Sequence, residues 1–260
     1  MTRDLIVHCG GHKGQEDHLY EDFGFKKVIW IEAIPELADF MKTKFGGESK
    51  HEVINAALWS SSDEQLDFHL SSNSKASSSI LKMKHHKNAF PEVHVVDVIK
   101  IKTKTLDEVM INQSSISLLL LDLQGAELEV LKGATEALKI SEHIFVEVSL
   151  SELYSDQALF SQILEFLHEH GFLLRDFELV EKSGHGNALF SKNSMETEIF
   201  LDTLKKIKTL ESQFTRKNKK TPIIAKSLYV VFGIRHFLLA RGVPIRLMRR
   251  PRFLVKRVKS

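Results

Sequence analysis

The stretch LLLLDLQGAELEVLKGA, residues 118–134, opens with four consecutive leucines. A strand of this composition has no polar face and must be covered on both sides, as the strands of parallel sheets are. The segment after it, AELEVLKGATEAL, repeats its apolar residues at helical spacing. The same alternation recurs on either side: DLIVHC before a helix over roughly 15–24, KVIWIEA before a helix opening at Pro35, HEVINAAL, and HIFVEVSL before DQALFSQILEFLHEH. Parallel neighbours need crossover connections of this length, so the pattern predicts an open, doubly wound α/β sheet. GFLLRDFELVEK and GNALFSK read as a closing antiparallel pair, and LDFHL with VVDVIKIKT as a hairpin beside the main sheet. Between the last two lies a polar stretch from Ser71 to Val96, too long for a connector and read as a lid over a pocket.

With 260 residues, 43% of them hydrophobic and 27% charged, the chain has the composition of a globular protein with a substantial core, which excludes a disordered or fibrous one. Cys9 is the only cysteine, so a disulfide framework is excluded. The opening MTRDLIVHCGG reaches glycines and charges too early for a secretory signal, and a cytoplasmic location is expected. The net charge of +2 hides a division: 14 of the 36 Lys and Arg lie from Arg216 onward, with none of the 34 Asp and Glu. The body is therefore about −12 and the tail about +14, an asymmetry that implies an anionic partner.

In open parallel sheets the ligand crevice lies at the carboxyl ends of the strands. Gly10 to Gly14, Glu32, Asn55, Asp122 and Glu147 all fall there. Glycines 10, 11 and 14 permit a tight turn and a ligand's approach to backbone N–H groups at the following helix. The dinucleotide fingerprint would need glycine where Cys9 stands, so it is incomplete. Glu32 is placed to accept bonds from two ribose hydroxyls, which a nicotinamide and an adenosyl cofactor both offer. His8, Cys9, His12 and His18 raise a metal as a further reading, but alternate strand residues face opposite sides, so His8 and Cys9 should diverge. No metal is assigned.

Residues 118–134, taken in order with HCGGHKGQE, WIEAIPE, INAAL, SSSI, KTLDEV and FVEVSLSELY, resemble the FkbM-type S-adenosylmethionine-dependent methyltransferases over roughly residues 4–192. The resemblance implies a Rossmann-like class I methyltransferase fold with a reversed last strand, a methyltransferase domain over 1–194, and S-adenosyl-L-methionine as cofactor. It further implies that Gly10 and Gly14 wrap the methionine part with Gln15 behind them, and that Glu32 holds the ribose. Asn55 and Ala56 would border the adenine. Asp122 would lie beneath the sulfonium and the acceptor, and Glu127 would brace the adjoining turn. The chain departs from the family's acidic strand end and Ala-Asn turn, having His8, Gly11 and His12 instead. A histidine cannot replace a carboxylate that attracts a cation, so Glu16 is the compensating candidate and a catalytically degenerate scaffold the alternative.

Methyl transfer needs alignment and, for a hydroxyl acceptor, a base. Asp122 is the first candidate, with a cap for the helix starting near Ala126 as its other reading; His12 is the second. Ser77, Ser78 and Ser79 are candidates to line the acceptor side. Family analogy points to O-methylation of a sugar, glycan or natural-product hydroxyl. An NAD(P)-dependent oxidoreductase is disfavoured by Cys9 and by the lack of a tyrosine-lysine motif. Residues 195–260 lie outside the resemblance and read as a helical basic extension. Within it, IIAKSLYVVFGIRHFLLA is interrupted by Lys226, Arg235 and His236 and is marginal in length for a membrane span. Peripheral contact with an anionic membrane, or with an acidic protein surface that includes another copy's body, is favoured over nucleic acid.

Overall fold

The computed structural model describes residues 3–180, 183–192 and 197–218. The strands are β1 (Leu5–Cys9), β2 (Lys27–Glu32), β3 (His51–Asn55), β4 (Ala57–Leu58), β5 (Gln65–Ser71), β6 (Val95–Lys104), β7 (Leu118–Leu121), β8 (His143–Ser149), β9 (Phe172–Leu179) and β10 (His185–Lys192). The helices are α1 (Asp17–Asp22), α2 (Pro35–Lys44), α3 (His86–Ala89), α4 (Leu106–Val109), α5 (Glu127–Lys132), α6 (Thr135–Ile140), α7 (Phe160–Glu169) and α8 (Thr197–Asn218).

Seven strands form the main sheet in the order β3-β2-β1-β7-β8-β10-β9. The first five pair in parallel, and β10 runs antiparallel to both β8 and β9. This is the Rossmann-like class I methyltransferase sheet with its last strand reversed, as the resemblance implied. The strand order reverses between β1 and β7, and there the connections leave in opposite directions and open a crevice. The four leucines of β7 divide as a two-sided strand must. Leu119 and Leu121 join Val7, Cys9 and Ile29 in one core with α5 and α7, while Leu118 and Leu120 join Ile6, Trp30 and Phe45 in another.

Pro35 occupies the first turn of α2, where its missing N–H costs nothing. The helix expected over 15–24 is the shorter Asp17–Asp22. HEVINAAL divides at Ala56: β3 extends the main sheet, and β4 pairs with β6 in a second sheet of three strands. In that sheet β5 and β6 form the expected hairpin, closed by the pair Ser71 and Val95. The loop it carries is stitched to residues 153–155 by backbone bonds from Lys84 N–H and His86 N–H to the Leu153 carbonyl, and from Ser155 N–H to that of Lys82.

The extension after residue 194 begins with a helix that shares the main core. Ile207 and Phe214 of α8 are buried with α7, and Glu211 accepts bonds from Ser161 N–H (2.8 Å) and Ser161 Oγ (3.0 Å) at the start of α7. The basic run lies, from residue 219 onward, outside the described residues. Among the described residues no helix is long and apolar enough to cross a membrane.

Candidate functional site

The crevice at the β1/β7 divergence encloses about 880 Å³, part of it open to solvent. Its walls come from the β1–α1 turn (Gly10, Gly11, His12, Gln15, Glu16), the end of β2 (Glu32, Ala33, Ile34), Ala56 to Leu58, the turn after β7 (Asp122 to Gln124), and the lid (Lys75, Ala76, Ser78, Ile80). The loop expected to be a lid thus roofs the site.

The β1–α1 turn contributes space more than donors. The N–H groups of Gly10 and Gly11 both bond the Ile31 carbonyl, at 2.9 and 3.0 Å, and that of Gly14 bonds Gly11. The expected row of N–H groups facing a ligand is therefore already engaged in the turn itself. Gly10 has φ +89, and a Cβ there would collide with the Asp122 carbonyl oxygen, so only glycine lets β1 and β7 end side by side. Gly14 stands away from the crevice: a Cβ on it would come within 2.7 Å of the Phe45 ring.

Glu32, buried at 6% exposure, is held by two backbone donors. His12 N–H bonds its Oε2 and Ile34 N–H its Oε1, each at 2.8 Å. Burial raises its carboxyl above the ordinary value, against the lowering effect of these bonds. Each oxygen can accept a further bond, and Glu32 lines the crevice. Asn55 does not line the crevice with Ala56; its amide turns back to donate to the Glu32 and Ala33 carbonyls at 2.8 and 3.1 Å.

His12 adopts φ +47, and its ring ties the turn to the lid. A carbonyl only accepts, so Nε2 carries the proton and donates to Ser74 O at 2.8 Å, leaving Nδ1 to accept from Gln15 Nε2 at 2.9 Å. Both nitrogens are engaged, which leaves His12 no open lone pair for the role of base. His8 and Cys9 diverge as the strand pleat requires: His8 shares a hydrogen bond with the Tyr20 hydroxyl at 2.9 Å, while Cys9 enters the opposite core. Burial drives the His8 pKa down to about 3, so the ring is neutral and adds no positive charge to the site.

Across the crevice, Asp122 is exposed to the cavity at the end of β7. Burial by the surrounding protein raises its carboxyl, and Gln124, then His12, oppose the rise. It does not cap α5, whose N-cap is Ala126 without a side-chain bond. Glu127 braces the turn between them, its Oε1 accepting Leu123 N–H at 2.8 Å and Gly125 N–H at 3.2 Å. Glu16, expected to compensate for His8, does line the crevice, with its carboxyl raised mainly by burial. All three lid serines are buried. Ser78 lines the crevice, its Oγ accepting from Ser71 N–H; Ser79 Oγ accepts from Leu81 N–H, and the Ser77 carbonyl accepts from the Tyr154 hydroxyl. Ser77 and Ser79 thus build the roof from behind and do not line the cavity.

Sequence reasoning missed Gln124 and Tyr154. Gln124 Nε2 donates to Asp122 Oδ1 at 2.7 Å and Glu147 Oε2 at 3.3 Å, and Tyr154 donates to Gln124 Oε1 at 3.0 Å. Gln124 stands in the distinctive segment DLQG, but a partner 30 positions away is not visible in a local pattern.

The model of the methyltransferase FkbM domain matches residues 8–174. A curated relative, the 2-O-methyltransferase NoeI of Sinorhizobium fredii (strain NBRC 101917 / NGR234), is 29% identical over 191 residues, which cover 70% of this chain and 75% of that protein. Among solved structures, magnesium protoporphyrin IX methyltransferase (ChlM) of Synechocystis PCC 6803 with bound SAM has a TM-score of 0.43 at 8% identity, covering 73% of this chain and 70% of that one. Aeropyrum pernix fibrillarin with natively bound S-adenosyl-L-methionine has a TM-score of 0.42 at 9% identity, covering 72% and 66%.

Proposed function

The chain belongs to the FkbM methyltransferase family, and from that premise we propose that it methylates a hydroxyl oxygen of a sugar, glycan or natural-product acceptor with S-adenosylmethionine. The observation that carries this reading is that the matched span, residues 8–174, contains every residue of the crevice wall. The relative named a 2-O-methyltransferase supports oxygen as the methylated atom.

The residues present fit an adenosyl cofactor. Glu32 offers two fixed oxygens to vicinal hydroxyls, Glu16 and Asp122 give the cavity the negative charge a sulfonium favours, and Ile34, Leu58 and Phe68 supply an apolar wall. When bound, the cofactor supplies a methyl group whose transfer forms an O–C bond, sends the S–C electron pair to sulfur and releases the acceptor's proton. Asp122 is the base that takes this proton, since it is an exposed carboxylate in the crevice. The lid roofs the site through Lys75, Ala76, Ser78 and Ile80.

Calorimetric titration with S-adenosylmethionine, S-adenosylhomocysteine and NAD tests the cofactor. We expect binding of the two adenosyl compounds only, weakened in Glu32→Ala. A folded protein that binds none of them would overturn the reading in favour of a scaffold. Labelled methyl recovered as an ether on hydroxylated glycans tests the acceptor class; label only on nitrogen or carboxyl groups would refute it. We further propose that the segment from Arg216 onward, with its 14 Lys and Arg and no acid, attaches the enzyme to an anionic membrane surface. Flotation with anionic vesicles should carry the full chain but not one ending at Asn218; equal partitioning would rule this out.

A further inference from the structure

We propose that Gln124 is a positioning residue for methyl transfer, its amide holding the Asp122 carboxylate in the pose that receives the acceptor's proton. The proposal rests on the reading of Asp122 as the base. Gln124 has φ +55, a backbone conformation that side chains with a Cβ seldom adopt, and Gly125 follows at φ +98. Glycine adopts such a conformation freely, but at Gln124 it persists only where the surroundings hold it. Here the strain accompanies a side chain that reaches Asp122 and Glu147 across the crevice wall.

Every polar atom of that amide is used. Its two N–H groups go to Asp122 Oδ1 (2.7 Å) and Glu147 Oε2 (3.3 Å), and its oxygen accepts the Tyr154 hydroxyl at 3.0 Å. The Asp122 carboxylate fixes which end of the amide faces it, because an amide oxygen turned toward it would be repelled, and the Tyr154 hydroxyl then donates to the other end. Tyr154 is itself anchored: Gln157 Oε1 accepts the N–H groups of Leu153 and Tyr154 at 2.8 and 3.2 Å. Gly125 makes room for the ring, since a Cβ there would lie 3.1 Å from Tyr154 Cδ2. The Tyr154 hydroxyl also lies 3.2 Å from the Ser77 carbonyl of the lid. One proton serves two acceptors, so the grip on Gln124 is shared with the roof.

The charges around Asp122 explain why such a grip matters. His12 and Glu16 face it from the β1–α1 turn, Tyr20 from α1, Glu127 from α5, Glu147 from β8 and Tyr154 from the segment after it. Burial, and after it the neighbouring Asp122 and Glu127 carboxyls, push the Glu147 carboxyl far above its ordinary value. Gln124 is the strongest influence lowering Asp122, ahead of His12. One amide therefore stabilises the ionised form of Asp122, while also reaching the Glu147 carboxyl.

The test uses the full chain and the variants Gln124→Asn and Tyr154→Phe. Asparagine tolerates positive φ but is one methylene too short to span both carboxylates; Tyr154→Phe removes a single hydroxyl. Carboxyl 13C NMR of protein labelled at aspartate side chains, with the Asp122 signal assigned by its absence in Asp122→Asn, reads the titration directly. We expect the Asp122 midpoint to rise by about one pH unit in Gln124→Asn and by less in Tyr154→Phe. The acid limb of kcat should move with it, so that turnover falls about tenfold below the midpoint and recovers above it. An unchanged midpoint in both folded variants, or a loss of turnover equal at every pH, would overturn the proposal. Full turnover in Asp122→Asn is a separate outcome: it would remove Asp122 as the base, whatever Gln124 does.

Discussion

Glu32 and Asp122 face one crevice from opposite sides of β1 and are held by opposite means. Glu32 is buried and clasped by two backbone N–H groups; Asp122 is open to the cavity and steadied by one side-chain amide. Backbone donors belong to the sheet and cannot move without it. A side-chain donor can be lost or reoriented at small cost. The first arrangement suits a group that only binds, the second a group that exchanges a proton.

The largest effect should come from Asp122→Asn, with kcat lower by about 10²–10⁴-fold and cofactor binding retained. The wild-type rate should rise with pH as Asp122 loses its proton, and the variant's residual rate should be flat across the same range. A variant that loses cofactor affinity instead would place Asp122 with the binding half.

Glu127 lies between the two extremes, being buried like Glu32 yet held at about 7 by burial. A carboxyl raised in the folded state stabilises it most below the ordinary value of 4.5 and loses that contribution as pH rises through 7. By thermal unfolding, Glu127→Gln should therefore gain on the wild type by about 2–3 kcal/mol between pH 4.5 and 8. A difference independent of pH would mean that Glu127 stays ionised throughout.

Glu32→Ala should weaken S-adenosylmethionine by about 10–100-fold, with kcat at saturation within a few-fold of wild type. A fall in kcat with affinity intact would erase the distinction between the two carboxylates. The smallest effect belongs to His12→Ala, which removes one bond between turn and lid. We expect a stability loss of about 1 kcal/mol by denaturant unfolding and faster cofactor dissociation by stopped flow. An unaltered off-rate would show that the stitches to residues 153–155 close the lid without it.

The elements were legible because they depend on one-dimensional patterns: the leucines of β7 announce a two-sided strand, Pro35 a helix start, and LDFHL with VVDVIKIKT a hairpin. Glu32 and Asp122 were legible because strand ends point to the crevice by topology alone. What escaped was the direction of side chains in turns. Gly14, Asn55, Ser77 and Ser79 sit at the right positions along the chain, yet local hydrogen bonds and the Phe45 ring turn them elsewhere. His12 reads as a base from sequence because one of its ring partners, Ser74, meets it only once the lid folds over the turn. The Gln124 network was hidden for the same reason, since β8 and the segment holding Tyr154 reach it only through tertiary packing.

The lid springs from two residues, Ser71 and Val95, that are already paired across the β5–β6 ladder. Its ends are held together by the ladder, and added length in a loop so closed costs only about 0.6 kcal/mol per doubling. Lys87, Asn88 and Glu92 are exposed and lie between the lid's attachment points and β6, where extra residues would meet solvent. The outer part of the lid is thus an exchangeable cassette, able to take up extra residues while the sheet and Glu32 stay as they are.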